Sequence, residues 1–299
     1  MYLSSKISGE YRLVVSREGS EIHDTGWFKN LILDSGLNRI GNQLQCVTFA
    51  QVGTGTAAPA ASQTTLATYL ASSSSSGTIS LANEGSPLYR TTITVPLVFT
   101  QGAVVGNITE VGVGWQSASG GLFSRALVVD GVGNPTTLTL TSIDQLTVYY
   151  RLRIAPPVTD GTGSVVISGT TYNYTMRASA AGTFAYRTDL LSTVQGLAYP
   201  YNVIAFDSTS TLGAITSAPV GTNSSGTFTG NTYVNGTFYR DFTATFPINQ
   251  GNLSGGIKCI VFYWTSNGGM SFQCQFSAAI PKDNTKVLTL NIRLAWARG

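Results

Sequence analysis

The sequence is poor in the side chains that carry most catalytic and metal chemistry. Its 299 residues hold one histidine, His23, and three cysteines, and 10% of them are charged. An average globular chain has about 25% charged residues, so Gly, Ser and Thr fill many polar positions here. One histidine and scattered cysteines argue against a transition-metal site, and three cysteines are too few for a disulfide scaffold. The sequence therefore predicts no metal and no cofactor.

Clusters of basic residues and long apolar runs are also lacking. A net charge of +3 without a Lys/Arg cluster does not suit a nucleic-acid-binding protein. No run reaches the roughly 18 apolar residues that cross a bilayer. The first residues, MYLSSKISGEYRLVV, have no apolar core ahead of a cleavage site. We therefore expect no nucleic-acid partner, no membrane insertion, no secretory signal and synthesis in a reducing cytosol.

The residues that are abundant are typical of an all-β protein with many turns. The chain is 42% hydrophobic, and its aliphatic residues are largely β-branched. Hairpin signals place a turn at Glu18–Gly19, and helical spacing predicts a short helix within residues 30–44. A low-complexity loop follows, with one helical turn expected at 66–70. Further strands are predicted at 88–99, 107–115, 121–130, 136–141 and 145–154.

One segment of the chain occurs twice. EVGVGWQSASGGLFSR begins at Glu110 and CIVFYWTSNGGMSFQC begins at Cys259, and both keep Trp, Ser, Gly and Phe at the same positions, 149 residues apart. Residues 155–163 are rich in Pro and Gly, which is typical of a linker. We therefore predict two tandem β-sandwich-like domains, produced by an internal duplication and each with a minor helical element. They are residues 1–156 and residues 157–299.

Each copy of the repeated segment has the pattern of a β-hairpin. With the turn centred after Ser117, Glu110 faces Arg125 across the strands, and such an ion pair contributes about 0.2–1 kcal/mol. In the second copy the same register places Cys259 opposite Cys274. Directly opposed cysteines can reach disulfide distance, although a reducing cytosol favours two buried thiols. The alternate residues, Val111 and its neighbours at 113 and 115, are predicted to face the core.

The residues of this sequence are compatible with one class of enzyme, a glycosidase. His23 lies beside Asp24, but no Gly-x-Ser-x-Gly motif is present, so we interpret it as a structural strand histidine. A glycosidase needs only two carboxylates. Asp189, Asp207 and Asp241 are candidates, yet their spacing does not show that any two converge. The sequence predicts no catalytic residues and a protein that is not an enzyme.

A candidate contact loop lies in the second half. LAYPYNVIAF places Tyr199 and Tyr201 around Pro200. Exposed aromatic side chains of this kind stack on sugar rings or fill protein interfaces. Packing at a core edge remains the alternative for these rings. Residues 221–237 form a second candidate contact loop.

Three stretches together resemble virion structural proteins of tailed bacteriophages, of the tail-fibre, tail-associated or baseplate type. They are DTGWFKNLILDSGLNRIG (24–41), VGTGTAAPAASQTTL (52–66) and the region from NITEVGVGW to DQLTVYYRLR (107–153). The resemblance covers most of the first copy, whereas the second copy has lost the Glu/Arg pair. It implies a non-enzymatic building block that is made in the bacterial host cytoplasm and assembled into the virion. Its implied partners are other tail proteins and further copies of itself, as a trimer or hexamer.

Two other roles remain open at this stage. One is a receptor-binding module that contacts a glycan or protein on the host cell surface. The other is a head decoration or neck protein, which uses the same kinds of contact elsewhere on the particle. If the chain is a trimer, two similar domains per chain produce a pseudo-six-fold ring, which suits a six-fold tail.

Overall fold

The structure, a computed structural model, describes residues 1–42, 44–85, 90–179, 200–264 and 270–299. Strands make up 55% of the residues and helix 3%, which confirms the predicted all-β class. In the first half, residues 1–156, the elements are β1 (Tyr2–Arg17), β2 (Ser20–Asp24), β3 (Phe28–Lys29), β4 (Leu31–Ile32), α1 (Asp34–Gly41), β5 (Phe49–Gly53), β6 (Tyr69–Ser73), β7 (Ser80–Glu84), β8 (Arg90–Val98), β9 (Gly106–Ile108), β10 (Glu110–Gly114), β11 (Leu122–Leu127), β12 (Leu138–Leu140) and β13 (Asp144–Ala155). In the second half, residues 157–299, they are β14 (Gly161–Ile167), β15 (Thr170–Ala178), β16 (Pro200–Phe206), β17 (Asn223–Gly230), β18 (Tyr239–Phe246), β19 (Ile257–Trp264), β20 (Met270–Ile280) and β21 (Leu288–Arg298).

The strands form one large sheet and two smaller ones. The large sheet has the order β14-β15-β20-β19-β16-β17-β18-β21-β1-β13-β8-β7, with β2 and β3 also paired to β1. The second sheet is β4-β11-β10-β5-β6, and β12 pairs with β9. In the described ranges, no helix is long and apolar enough to span a bilayer.

Strict alternation of side chains builds the long strands. In β13 every second residue is buried, and Leu146, Val148 and Tyr150 are at most 1% exposed. This period of two places one face on the core and leaves the other half-exposed. The strand predicted at 145–154 is therefore confirmed. The hairpin turn at Glu18–Gly19 is also confirmed, since both residues have positive φ, 50° and 78°, as a tight two-residue turn requires.

Each half places two layers of strands face to face. In the first half the hydroxyl of Tyr11 on β1 donates to the carbonyl of Ser124 on β11 at 3.1 Å. In the second half the Phe228 and Trp264 ring centroids are 4.9 Å apart. There β17 passes from one layer to the other, because its first residues pair with β16 and its last with β18.

Strand β1 joins the two halves. Its residues Lys6–Arg17 run antiparallel to β13, and its residues Tyr2–Ile7 run parallel to β21. Ile7 is fully buried, and one hydrophobic cluster contains residues of both halves. The sheet is thus continuous across the boundary at residue 156, which lies in the loop between β13 and β14.

The order of strand pairing is similar in the two halves. The repeated sequence relates β10 to β19, β11 to β20, β8 to β18 and β13 to β21. In the first half β10 pairs with β11 and β5, and β8 pairs with β13. In the second half β19 pairs with β20 and β16, and β18 pairs with β21. This similarity is compatible with an internal duplication and with a division into two domains. Both remain predictions.

The helical prediction is confirmed in part. The helix expected within 30–44 spans Asp34–Gly41, with Leu37 and Ile40 buried. The helical turn expected at 66–70 is wrong, because residues from 69 onward form β6. The backbone N–H groups of Ala67 and Thr68 donate to the carboxylate of Glu110 instead of to a helical carbonyl.

Candidate functional site

Glu110 on β10 and Arg125 on β11 form the most buried polar pair in the part of the chain that the structure describes. The two side chains are 0% exposed, and the Nη2 and Oε2 atoms are 2.7 Å apart. The predicted partnership is therefore present, but the predicted register is wrong. Glu110 lies opposite Leu127, and Arg125 lies opposite Gly112, so the ion pair runs diagonally between the strands.

A bulge accounts for one residue of the two-residue change of register. The pairing of β10 with β11 shifts between Val113 and Gly114. The loop after β10 ends in Gly120 and Gly121, with φ of 125° and 57°, values that L side chains rarely adopt. A Cβ atom on Gly114 would lie 2.0 Å from the Gly121 carbonyl oxygen. Only glycine fits there, and this close approach moves the two strands out of the simple hairpin register.

The carboxylate of Glu110 binds the backbone of the loop at residues 54–68, which connects β5 to β6. Its Oε1 accepts the N–H groups of Gly55 at 3.0 Å and Thr68 at 2.7 Å. Its Oε2 accepts the N–H of Ala67 at 3.0 Å and Nε of Arg125 at 2.8 Å. Both oxygens are therefore fully used by the protein itself.

The guanidinium of Arg125 binds the same loop. Its Nη1 donates to the side-chain Oε1 of Gln63 at 2.7 Å, and its Nη2 donates to the carbonyl of Ala57 at 2.7 Å. Burying two charges is costly unless their remaining hydrogen-bonding groups are satisfied. Here backbone groups of the loop and the side chain of Gln63 provide these partners, so the pair anchors the 54–68 loop.

The two cysteines at the matching positions of the repeated segment, Cys259 and Cys274, do not face each other. Cys259 lies opposite Gln275, and Cys274 lies opposite Ile260, so the two thiols point to opposite faces of the sheet. Cys274 belongs to the main core, whereas Cys259 packs with Phe206 and its neighbours on the other face. Both thiols are free, and the predicted facing pair is wrong.

Burial keeps these thiols protonated. Desolvation raises the pKa of Cys259 to about 12 and raises that of Cys274 well above its ordinary value. A thiol is nucleophilic only as its thiolate. Neither cysteine is therefore suited to covalent catalysis or to metal binding.

In the second half, two glutamines anchor the loop at residues 207–222, which connects β16 to β17. Gln273 accepts the N–H of Gly213 at 2.7 Å and donates to the carbonyls of Ala214 and Ser217 at 3.0 and 3.1 Å. Gln275 accepts the N–H of Leu212 at 3.1 Å. Neutral amides thus anchor this loop in the second half.

The candidate carboxylates are held by local contacts. Hydrogen bonds from the hydroxyl of Thr209, and then from Ser210 and Thr222, lower the pKa of Asp207 to about 2. Asp241 accepts both Nε and Nη2 of Arg293, at 2.7 and 2.8 Å. Among the described residues, no group of three or more His, Cys, Asp or Glu side chains could hold a metal ion. Asp189 lies outside the described residues.

The candidate contact loop is described only in part. Pro200 and Tyr201 form the start of β16, so the expectation of a loop is wrong for them, and Tyr201 is 50% exposed. Tyr199 lies outside the described residues. The second candidate loop, 221–237, is also corrected, because β17 occupies Asn223–Gly230. Apolar and polar residues alternate only weakly in these segments. They form strands because β16 pairs with β17 and β19, and β17 also pairs with β18.

The sequence did not indicate a groove between the halves. It has a volume of about 620 Å³ and lies where β1, β21 and the 156–158 linker meet. Tyr2, Tyr239 and Arg293 line it, and the guanidinium of Arg293 lies 3.8 Å from the centroid of the Tyr239 ring. Its walls come from both ends of the chain, so no local motif could have revealed it.

No protein family, curated protein or solved structure matches this chain.

Proposed function

We propose that this chain is a non-enzymatic structural protein of a tailed-bacteriophage virion, part of the tail, tail fibre or baseplate. It acts through protein–protein contacts with other tail proteins and with further copies of itself. The observation that carries the proposal is the packing of the three phage-like stretches, 24–41, 52–66 and 107–153, into one structural unit. A resemblance carried by stretches that fold together is more informative than three scattered matches.

Backbone hydrogen bonds join these stretches. Leu33 donates to the carbonyl of Phe123 at 2.9 Å, and Leu122 donates to the carbonyl of Thr64 at 3.3 Å. The side chains of Leu33, Leu66 and Leu122, one from each stretch, form a small buried cluster. The buried pair of Glu110 and Arg125 then holds the second stretch against the third.

The polar chemistry of the described residues also supports a contact role. The carboxylates of Glu110, Asp207 and Asp241 each accept hydrogen bonds from protein groups, and these bonds fix local structure. Catalytic acids and bases need an accessible proton-transfer partner in a cleft. Side chains that are already bound to other protein groups in this way stabilise a scaffold instead.

Mass spectrometry tests this proposal. The sample is virions purified by density from a lysate of infected cells that express the chain. We expect its peptides in intact particles at a fixed ratio to the major tail protein. A phage with an amber codon in the gene should yield defective particles, and suppression of the codon should restore them. Absence of the chain from infectious particles would contradict the proposal.

Receptor binding is the second candidate function, and the groove between the halves favours it. Tyr2 is 63% exposed, and its ring lines a cleft with Tyr239, an arrangement suited to stacking on a sugar. The purified chain would then compete with phage for adsorption to host cells. Tyr2→Ala should reduce that competition, whereas Tyr201→Ala, which removes an exposed tyrosine outside the groove, should not.

A further inference from the structure

The large sheet ends at β14, and no described strand pairs with the outer edge of β14. Through its inner edge all seven residues pair with β15, from Gly161 opposite Met176 to Ile167 opposite Thr170, without a register shift. An antiparallel strand directs alternate pairs of N–H and C=O groups to each side. The outer edge of β14 therefore presents a regular row of backbone donors and acceptors.

This edge lacks the features that normally protect an edge strand. Natural sheets blunt their edges with charged residues, proline, bulges or very short strands. The sequence of β14, GTGSVVI, contains no charge and no proline. Val166 is 66% exposed, and the charged residue just before the strand, Asp160, is ion-paired with Arg177 on the neighbouring strand. The edge is thus long, regular and uncharged.

The opposite end of the sheet is protected. There β7 has five residues and ends at Glu84. Glu84 accepts from Arg90 at 2.8 Å and from Arg153 at 3.3 Å, so charged side chains lie beside that edge. Among the described strands, this contrast between the two ends of one sheet indicates that the outer edge of β14 is open for pairing.

We propose that β14 pairs antiparallel with β14 of a second copy of this chain, with Ser164 on the two-fold axis. The central serines then lie directly opposite each other. The remaining pairs are Gly161 with Ile167, Thr162 with Val166, and Gly163 with Val165.

The strand complements itself in this register. No pair brings charges together, so nothing opposes the contact electrostatically. Residues 162, 164 and 166 are exposed in one chain, and the two-fold axis keeps the exposed faces of both chains on one side of the extended sheet. Val166 of each copy then lies beside Thr162 of the other and loses part of its exposure. A second copy is always available to the chain, and its edge matches residue for residue.

A two-fold contact has a consequence for larger assemblies. An isologous edge closes at two subunits, so it produces a dimer or a closed assembly of dimers. A hexamer made of three dimers contains such axes, whereas a simple trimer does not. The contact is independent of any place in a virion, because it rests on the edge of β14 alone.

A charge-swap experiment at Ser164 tests the pairing. Sedimentation of the full chain should show a concentration-dependent dimer. Ser164→Lys and Ser164→Asp each place like charges directly opposite, and each should weaken dimerisation by about tenfold. Mixing the two variants should restore dimers, because Lys then faces Asp. Val220→Lys, on an exposed loop residue, is the matched control and should leave the dimer unchanged.

Hydrogen exchange of the unmodified chain provides a second readout that needs no variant. The outward-facing amides of β14, which belong to alternate residues within Gly161–Ile167, should exchange more slowly at high protein concentration, while those of β7 should not change. A chain that stays monomeric at its solubility limit would overturn the proposal. So would Ser164→Lys dimers as tight as the unmodified ones, or a mixture of the charged variants that fails to recover.

Discussion

Arg125 donates from Nε to Oε2 of Glu110 at 2.8 Å, and both side chains are fully buried beneath the 54–68 loop. The two residues come from neighbouring strands, and between them they bind five residues of that loop. That loop is long and rich in Ala and Thr, so it has little core of its own. The ion pair holds the loop in place together with the buried side chain of Leu66.

Glu110→Gln should lower the free energy of unfolding by about 3–5 kcal/mol, because it leaves the Arg125 guanidinium buried without a counter-charge. Chemical denaturation measures the change. The matched control is Asp24→Asn, which breaks the partly exposed pair with Arg12 and should cost less than about 1 kcal/mol. Equal effects of the two substitutions would contradict the role assigned to the buried pair.

The three cysteines should be unreactive in the folded protein. Burial raises the pKa of Cys46 and of Cys259 to about 12, and Cys274 shares this protection. A thiol reagent at neutral pH should label none of them until denaturant is added, and then all of them. An oxidant should leave the melting temperature unchanged, because Cys259 and Cys274 lie on opposite sheet faces. Formation of a Cys259–Cys274 disulfide in the native protein would refute the observed register.

Asp207 should make stability depend on pH in the acid range. Its pKa is lowered from 3.8 to about 2, so the folded state holds the carboxylate ionised more strongly than the unfolded state does. The resulting stability is fully present above about pH 4 and is lost as the pH falls through about 2. Asp207→Asn should flatten this part of the profile of unfolding free energy against pH. An unchanged slope between pH 4 and pH 2 would show that the carboxylate is not held by its neighbours.

Truncation in β1 should loosen both halves of the molecule. Ile7 is fully buried on a strand that pairs with β13 and with β21, so Ile7→Ala should cost about 2–5 kcal/mol. Thiol labelling locates the effect, because Cys46 reports on the first half and Cys274 on the second. Both should become labelled at lower denaturant concentration. Val287→Ala, at an exposed site, should change neither, and loosening of one half alone would argue for two independent domains.

The sequence predicted the structure correctly where an element follows from a strong local pattern of residues. The strand at 145–154 and the turn at Glu18–Gly19 carry strong patterns, and both are found as predicted. The partnership of Glu110 with Arg125 was also predictable, because the two lie on adjacent strands of one hairpin. Their register was not, since it depends on the close approach of Gly114 to Gly121.

Contacts between segments far apart in the sequence could not be predicted from local sequence patterns. Nothing in residues 2–7 indicates that they run parallel to β21, nearly the whole chain away. The loop anchors Gln273 and Gln275 were also missed, because a glutamine on a strand carries no signal until its loop is known. The uncharged sequence of β14 could have suggested an edge strand, but not that no other described strand pairs with its outer edge.

Imaging of purified virions at side-chain resolution tests the central claim most directly. The account predicts density for this chain in the tail, tail fibre or baseplate. Identical copies should form a closed assembly that contacts other tail proteins on both sides. Density on the head surface in many copies, or no density for the chain in infectious particles, would contradict it.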